Sequence, residues 1–170
     1  MKGIVIWFTG LPSSGKSTLA EAVRERLEHL TIPACILDGD AVRDALIPRP
    51  GYSAEQRDNF YETLARLAGV MAWQGLAVLV PATAHRRFYR ERARELAPRF
   101  LEVYVKTALE ECERRDAKGL FERARKGSLL EVPGVGLPYE EPAQPEVIAE
   151  GGRSTAAVDE IVERAQQALG

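Results

Sequence analysis

The stretch that most limits what this chain can become is Gly10-Leu11-Pro12-Ser13-Ser14-Gly15-Lys16-Ser17, followed by Thr18. It fits the pattern G-x-x-x-x-G-K-[ST], in which glycines let successive backbone N–H groups turn inward on phosphate oxygens. Before it, Gly3-Ile4-Val5-Ile6-Trp7-Phe8-Thr9 is a short apolar, β-branched and aromatic run that predicts a buried strand. After it, Leu19, Val23, Leu27 and Leu30 recur at helical spacing. Strand, glycine loop and helix in that order predict a nucleotide-phosphate site. Gly10, Ser13, Ser14, Gly15 and Thr18 would surround the anion. Lys16 would bring a point charge to the β- and γ-phosphates, and the Ser17 hydroxyl would reach Mg²⁺. An accidental glycine turn is the bland alternative, and it requires all of these features to agree by chance.

A chain of 170 residues suits one domain with a real core and is short for two. With 45% hydrophobic and 28% charged residues it reads as an ordinary globular protein. The net charge of −2 argues against a general nucleic-acid surface. No apolar run approaches the ~18 residues of a membrane span, and no signal-peptide core opens the chain, so no membrane partner is expected. Cys35 and Cys112 lack metal spacing and read as buried thiols of a reducing cytoplasm.

Ala34-Cys35-Ile36-Leu37-Asp38 predicts a second strand, ending in Asp38-Gly39-Asp40 and Val42-Arg43. Carboxylates at the carboxyl end of a strand lie where open α/β sheets bind ligands. Asp-Gly is also a turn signal, and Asp40 suits a helix cap. Ser53 predicts an N-cap with Gln56 three residues on, opening a helix to about Gln74. Arg57 falls in its first turn, where a cation opposes the helix dipole; it is either solvated or held there to meet an anion. Leu76 to Val80 predicts the third strand, without an acidic end, so Asp38 or Asp40 must supply any carboxylate to Mg²⁺. His85, Arg86, Arg87 and Arg90 read mainly as a solvated basic edge, with a substrate-phosphate contact from one arginine as the alternative, and His85 as structural or peripheral. Phe100 to Val105 predicts the fourth strand, and Leu109, Cys112 and Glu113 lie on a helix. A long irregular stretch from Gly127 to Pro145 reads as a functional lid or simply a mobile segment, Val147 to Ala149 as a short fifth strand, and Ser154 as the start of the last helix. Alternating strands and helices imply a three-layer αβα domain with a mostly parallel sheet over residues 1–170, its lid-like segment at about 118–145.

The chain resembles the adenylylsulfate kinase (APS kinase) family of P-loop kinases over most of its length. Trp7-Phe8-Thr9-Gly10-Leu11, the glycine loop, Leu37-Asp38-Gly39-Asp40 with Val42-Arg43, and Gly51-Tyr52-Ser53 with Arg57 carry the likeness. Glu102-Val103-Tyr104-Val105, Cys112-Glu113-Arg114-Arg115-Asp116 with Lys118-Gly119-Leu120, and Pro138-Tyr139-Glu140 with Pro142 continue it. The resemblance implies a five-stranded sheet in order 2-3-1-4-5. It implies transfer of the γ-phosphoryl of ATP to the 3′-hydroxyl of adenylyl sulfate, with Mg²⁺, in cytoplasmic sulfate assimilation. By the same likeness Lys16 and Asp38 are catalytic, Ser17 and Asp38 hold the metal, and Arg115 joins the nucleotide site. Asp40, Arg43, Tyr52, Arg57 and Lys118 fall to the acceptor, and a homodimer is implied.

Three departures fall on the acceptor side. Where the family reads E-N-I-R-R after the arginine, this chain has Asn59-Phe60-Tyr61-Glu62-Thr63, with Phe60 in place of a substrate-contacting asparagine. The family's F-I-S-P-Y-R is Ala82-Thr83-Ala84-His85-Arg86-Arg87, so Ala84 replaces a serine. Its K-G-F-T-G corresponds to Leu130-Glu131-Val132-Pro133-Gly134, with Val132 in place of an aromatic over the adenine. The acceptor is therefore adenylyl sulfate in a rebuilt pocket, or another hydroxyl-bearing, nucleotide-like anion. A nucleotide-binding module without turnover is a third reading, disfavoured by retention of Asp38 with Lys16 and Ser17.

Overall fold

The computed structural model describes residues 2–116, 118–128 and 131–170. Its frame is a five-stranded, wholly parallel sheet in order β2-β3-β1-β4-β7. The strands are β1 (Ile4–Thr9), β2 (Ala34–Ile36), β3 (Ala77–Pro81), β4 (Phe100–Lys106) and β7 (Val147–Glu150). The order is the one the family resemblance implies, since two-residue strands β5 (Val132–Pro133) and β6 (Gly136–Leu137) pair only with each other. β1 is buried at every position because helices cover both its faces, as parallel sheets require.

Helices α1 (Lys16–His29) and α7 (Thr155–Leu169) close one face over Ile4, Ile6, Phe8, Leu19, Leu27, Val103 and Ile161. Helices α3 (Ala54–Trp73) and α4 (Arg87–Leu96) close the other over Trp7, Phe60, Leu64, Val78, Val80 and Tyr89. α3 begins at the expected capping box: Ser53 Oγ accepts from Gln56 N–H, and Gln56 reaches back to Ser53 N–H. Short helices α2 (Gly39–Ala45), α5 (Leu109–Arg115) and α6 (Leu120–Arg125) line the carboxyl edge of the sheet. A third, small core of Cys112, Phe121 and Val132 packs the segment after α5 onto Leu11 and Leu109. Both cysteines are free thiols. Among the described residues no helix is long and apolar enough to cross a membrane.

The second strand is shorter than expected. It ends at Ile36, Leu37 N–H still bonds Leu79 O at 2.8 Å, and Asp38 is already the cap of α2. The competing demand is the helix: Asp38 Oδ1 accepts from Asp40 N–H (3.0 Å) and Ala41 N–H (3.1 Å), so Asp38, not Asp40, caps it.

Candidate active site

All five sheet strands point their carboxyl ends at one cleft of about 910 Å³. The glycine loop forms its floor. A Cβ on Gly10 would lie 2.5 Å from Val105 O, and one on Gly15, at φ 101°, would lie 2.6 Å from Gly152 Cα. Only glycine lets the loop rest against β4 and the turn after β7 at these two points. Lys16 Nζ donates to Gly10 O (3.1 Å) and Leu11 O (2.8 Å), arching back over its own loop. Withdrawal from water lowers its pKa to about 8, against the opposing pull of Asp38 and Asp40. Such an ammonium gains from any anion placed beside it. Ser14 Oγ is buried without a partner among the described residues, one more polar atom of the loop open to a ligand.

Ser17 Oγ donates to Asp38 Oδ2 at 3.1 Å, so the hydroxyl and carboxylate expected at Mg²⁺ meet across the cleft. One carboxylate and one hydroxyl suit a cation that keeps its waters and completes its shell with phosphate oxygens. No group of three or more His, Cys, Asp or Glu among the described residues offers a protein cage instead. Asp40 pairs with Lys118, tying the segment after α5 to α2 above the loop. Arg115, on the same side, lines the cleft and bonds Glu111 at 2.7 Å.

Opposite the loop stand two buried guanidinium groups. Arg43 is 4% exposed and Arg57 7%. Neither has a carboxylate within 4.0 Å among the described residues; both spend donors on carbonyls. Arg43 Nη1 reaches Pro50 O (3.3 Å) and Gly51 O (2.8 Å), and its carbon lies 3.9 Å from the Phe60 ring centre and 4.5 Å from that of Tyr52. Arg57 Nε donates to Tyr52 O (2.9 Å) and its Nη2 to Glu131 O (2.6 Å). The arginine in the first turn of α3 is thus held, not solvated. Charges this deep without a counter-ion call for an anion.

The basic edge after β3 departs from expectation. Arg90 is fully buried, paired to Glu102 at 2.7 Å, and donates to the carbonyls of Ala84 and Glu140. It holds Ala84 at φ 44° from one side, while Ala84 N–H donates to the Tyr61 hydroxyl at 3.1 Å on the other. His85 is also buried, packed on Tyr61 and Tyr89, with Nδ1 unpartnered among the described residues. Burial, with Arg57 and Arg86 nearby and Glu140 and Asp58 opposing, lowers its pKa from 6.5 to about 4. Below pH 6.5 the unfolded chain then binds a proton that the folded chain refuses, so stability is retained above 6.5 and falls towards pH 4. His85→Gln is expected to remove on the order of 3 kcal/mol of that acid loss, read as urea-unfolding free energy against pH. Identical slopes for the two proteins would mean that His85 titrates normally.

The cleft also takes in residues that motif reading did not select: Thr83, Glu111, Arg123, Glu131, Pro133 and the turn Gly151-Gly152-Arg153. A paired glycine directly after a strand was the available signal for the last. Val132 lines the cleft but is only 3% exposed, its bulk shared with the small core; Leu130 lies outside the described residues.

A strand, glycine loop and helix at the carboxyl edge of a parallel sheet define a P-loop nucleotide-binding protein of the kinase type. The family model for adenylylsulphate kinase matches residues 2–150. The adenylyl-sulfate kinase of Citrobacter koseri is 44% identical over 154 residues, 88% of this chain and 76% of that protein. That of Synechococcus sp. (strain JA-3-3Ab) is 36% identical over 168 residues, 99% of this chain and 94% of its own. The solved structure of the Mycobacterium tuberculosis APS kinase with AMPPNP and APS superposes with a TM-score of 0.84 at 36% identity, covering 99% of this chain and 96% of that one. The chain belongs to the adenylylsulphate kinase family.

Proposed function

We propose that the chain transfers the γ-phosphoryl group of ATP to the 3′-hydroxyl of adenylyl sulfate, releasing ADP and 3′-phosphoadenylyl sulfate. The observation that carries the acceptor is the pair of buried arginines lining the cleft, Arg43 and Arg57, without carboxylate partners among the described residues. They suit an acceptor bearing negative charge, as the phosphosulfate of adenylyl sulfate does. In this reading Gly10, Ser13, Ser14, Gly15, Lys16, Ser17 and Thr18 hold the ATP phosphates, and Arg115 borders the nucleotide. Ser17 and Asp38 would hold Mg²⁺, which would supply neutralisation of the phosphate charge. Asp38 orients the acceptor hydroxyl. As the hydroxyl oxygen bonds the γ-phosphorus and the bond to ADP breaks, the proton leaves late to Asp38. Asp40, Arg43, Tyr52, Arg57 and Lys118 border the acceptor, and residues 118–145 act as a lid on one kinase domain. A cytoplasmic setting, supported by two free thiols, and a homodimer belong to the same proposal.

A second reading keeps the chemistry and changes the acceptor to another nucleotide-like anion. Phe60, Ala84 and Val132 favour it, because they remove an amide, a hydroxyl and a ring expected from the family pattern. Coupled ADP release with Mg²⁺, ATP and a panel of acceptors separates the two. Turnover is expected with adenylyl sulfate at a kcat/KM well above that for adenosine 3′- or 5′-phosphates. Turnover confined to a different nucleotide would overturn the first reading, and tight ATP binding with no ADP from any acceptor would overturn both.

A further inference from the structure

Arg43 is the most deeply buried arginine lining the cleft, 4% exposed against 7% for Arg57. It carries five N–H donors, and only Nη1 is used by the protein among the described residues. Burial lowers its pKa, and no described carboxylate lies in reach to restore it. Its charge rests on two carbonyls and on the rings of Phe60 and Tyr52, at 3.9 and 4.5 Å. The two rings differ in how firmly they are held. Phe60 is 3% exposed, on the inner face of α3, packed edge-on to Tyr61 with ring centres 5.3 Å apart. Tyr52 is 46% exposed, in the loop before that helix. A ring fixed in a core can hold a guanidinium plane in one orientation, while a loose ring only follows it.

We infer that Phe60 is a positioning and specificity residue for the acceptor, holding Arg43 so that its unused Nε and Nη2 edge faces the acceptor's anionic group. This rests on the proposed anionic acceptor. Phenylalanine offers no hydrogen bond where the family pattern has an asparagine, so whatever that amide contributed must come from elsewhere. The ring face supplies it indirectly: it stabilises the neighbouring cation and limits the orientations from which Arg43 can donate. Recognition at this position passes from a direct polar contact to a charge held in place. The neighbouring departures are consistent with such a rebuilt wall, because Tyr61 secures Ala84 and stacks on Tyr89 at 4.5 Å. Phe60, Tyr61, His85 and Tyr89 thereby form one connected aromatic group behind the cleft.

The test is steady-state kinetics of Phe60→Leu and Phe60→Tyr with adenylyl sulfate, MgATP and ADP detection. Leucine keeps an apolar side chain and loses the ring face. It is expected to raise the acceptor KM by roughly 5- to 30-fold, the range of a desolvated cation–ring contact, with kcat changing less than about threefold. The KM for ATP should stay level, and Phe60→Tyr should recover most of the acceptor KM. An unchanged acceptor KM in Phe60→Leu would overturn the inference. So would parallel losses in kcat and ATP affinity, which mark a general packing defect. Absence of turnover of adenylyl sulfate by the wild type would instead sink the proposed function. The pair is then read in a double-mutant cycle of Arg43→Ala and Phe60→Leu by urea unfolding. Additive effects there would overturn the Phe60 inference as well, and coupling would sustain its positioning of the cation.

Discussion

Replacing Asp38 by alanine is expected to lower kcat by about 10²- to 10⁴-fold, with ATP binding retained. The size follows from the number of tasks gathered on one carboxylate. Oδ2 accepts from Ser17, the proposed Mg²⁺ partner, and Oδ1 accepts the two N–H groups that begin α2. An aspartate is a far weaker base than an alkoxide, so in the proposed reaction its share would be to orient the hydroxyl and take its proton as the new bond forms. Alanine removes the cap as well and should cost about 1 kcal/mol of stability. Asparagine separates the roles, because its amide oxygen caps a helix nearly as well as a carboxylate. Asp38→Asn should therefore unfold within about 0.5 kcal/mol of the wild type yet lose most of the turnover. Denaturation curves beside single-turnover rates check both. Near wild-type turnover in either variant would remove Asp38 from the mechanism.

The donor half of the site was legible because its chemistry is local. Backbone N–H groups, two glycines, one lysine and four hydroxyls lie within nine consecutive residues, and the flanking periodicities are unambiguous. Alternating elements gave the αβα architecture, while strand order came from resemblance; no periodicity states which strand lies beside which. The acceptor half is assembled from distant pieces and was read only in part. Arg57 presented itself as a first-turn cation with two fates, and the choice depended on Glu131, 74 positions away. The basic run after β3 misled for a physical reason. Four cationic or titratable side chains in six residues normally mean a solvated edge, yet Arg90 and His85 turn inward because helix periodicity and a left-handed residue at Ala84 direct them there. Glu102, the partner that makes burial of Arg90 tolerable, sits on another element and leaves no local trace. Likewise Gly152 matters because a second glycine, Gly15, lies against it across the fold.

Loss of the Arg90 guanidinium is expected to be the most damaging single change to the scaffold, because three acceptors depend on it. Arg90→Leu leaves the Glu102 carboxylate in a nearly dry site with only the longer contact to Arg94 at 3.9 Å, and strips donors from the carbonyls of Ala84 and Glu140. Breaking a buried pair from one side typically costs about 3–5 kcal/mol, a large share of the stability of a domain this size. The damage should also reach the reaction. Ala84 follows Thr83 in the cleft wall, and Glu140 stands where the chain returns from the segment over the cleft; Arg90 binds the two together. Arg90→Lys keeps the charge but cannot reach three acceptors from one plane, and should show a smaller stability loss with a disproportionate rise in acceptor KM. Removing both charges, as Arg90→Met with Glu102→Met, should recover part of the stability, since no carboxylate is then left buried alone. Restored stability without restored acceptor KM would assign Arg90 to the geometry of the wall. A loss under about 1 kcal/mol in Arg90→Leu would show that the carboxylate finds water and that the clamp is not what holds the turn.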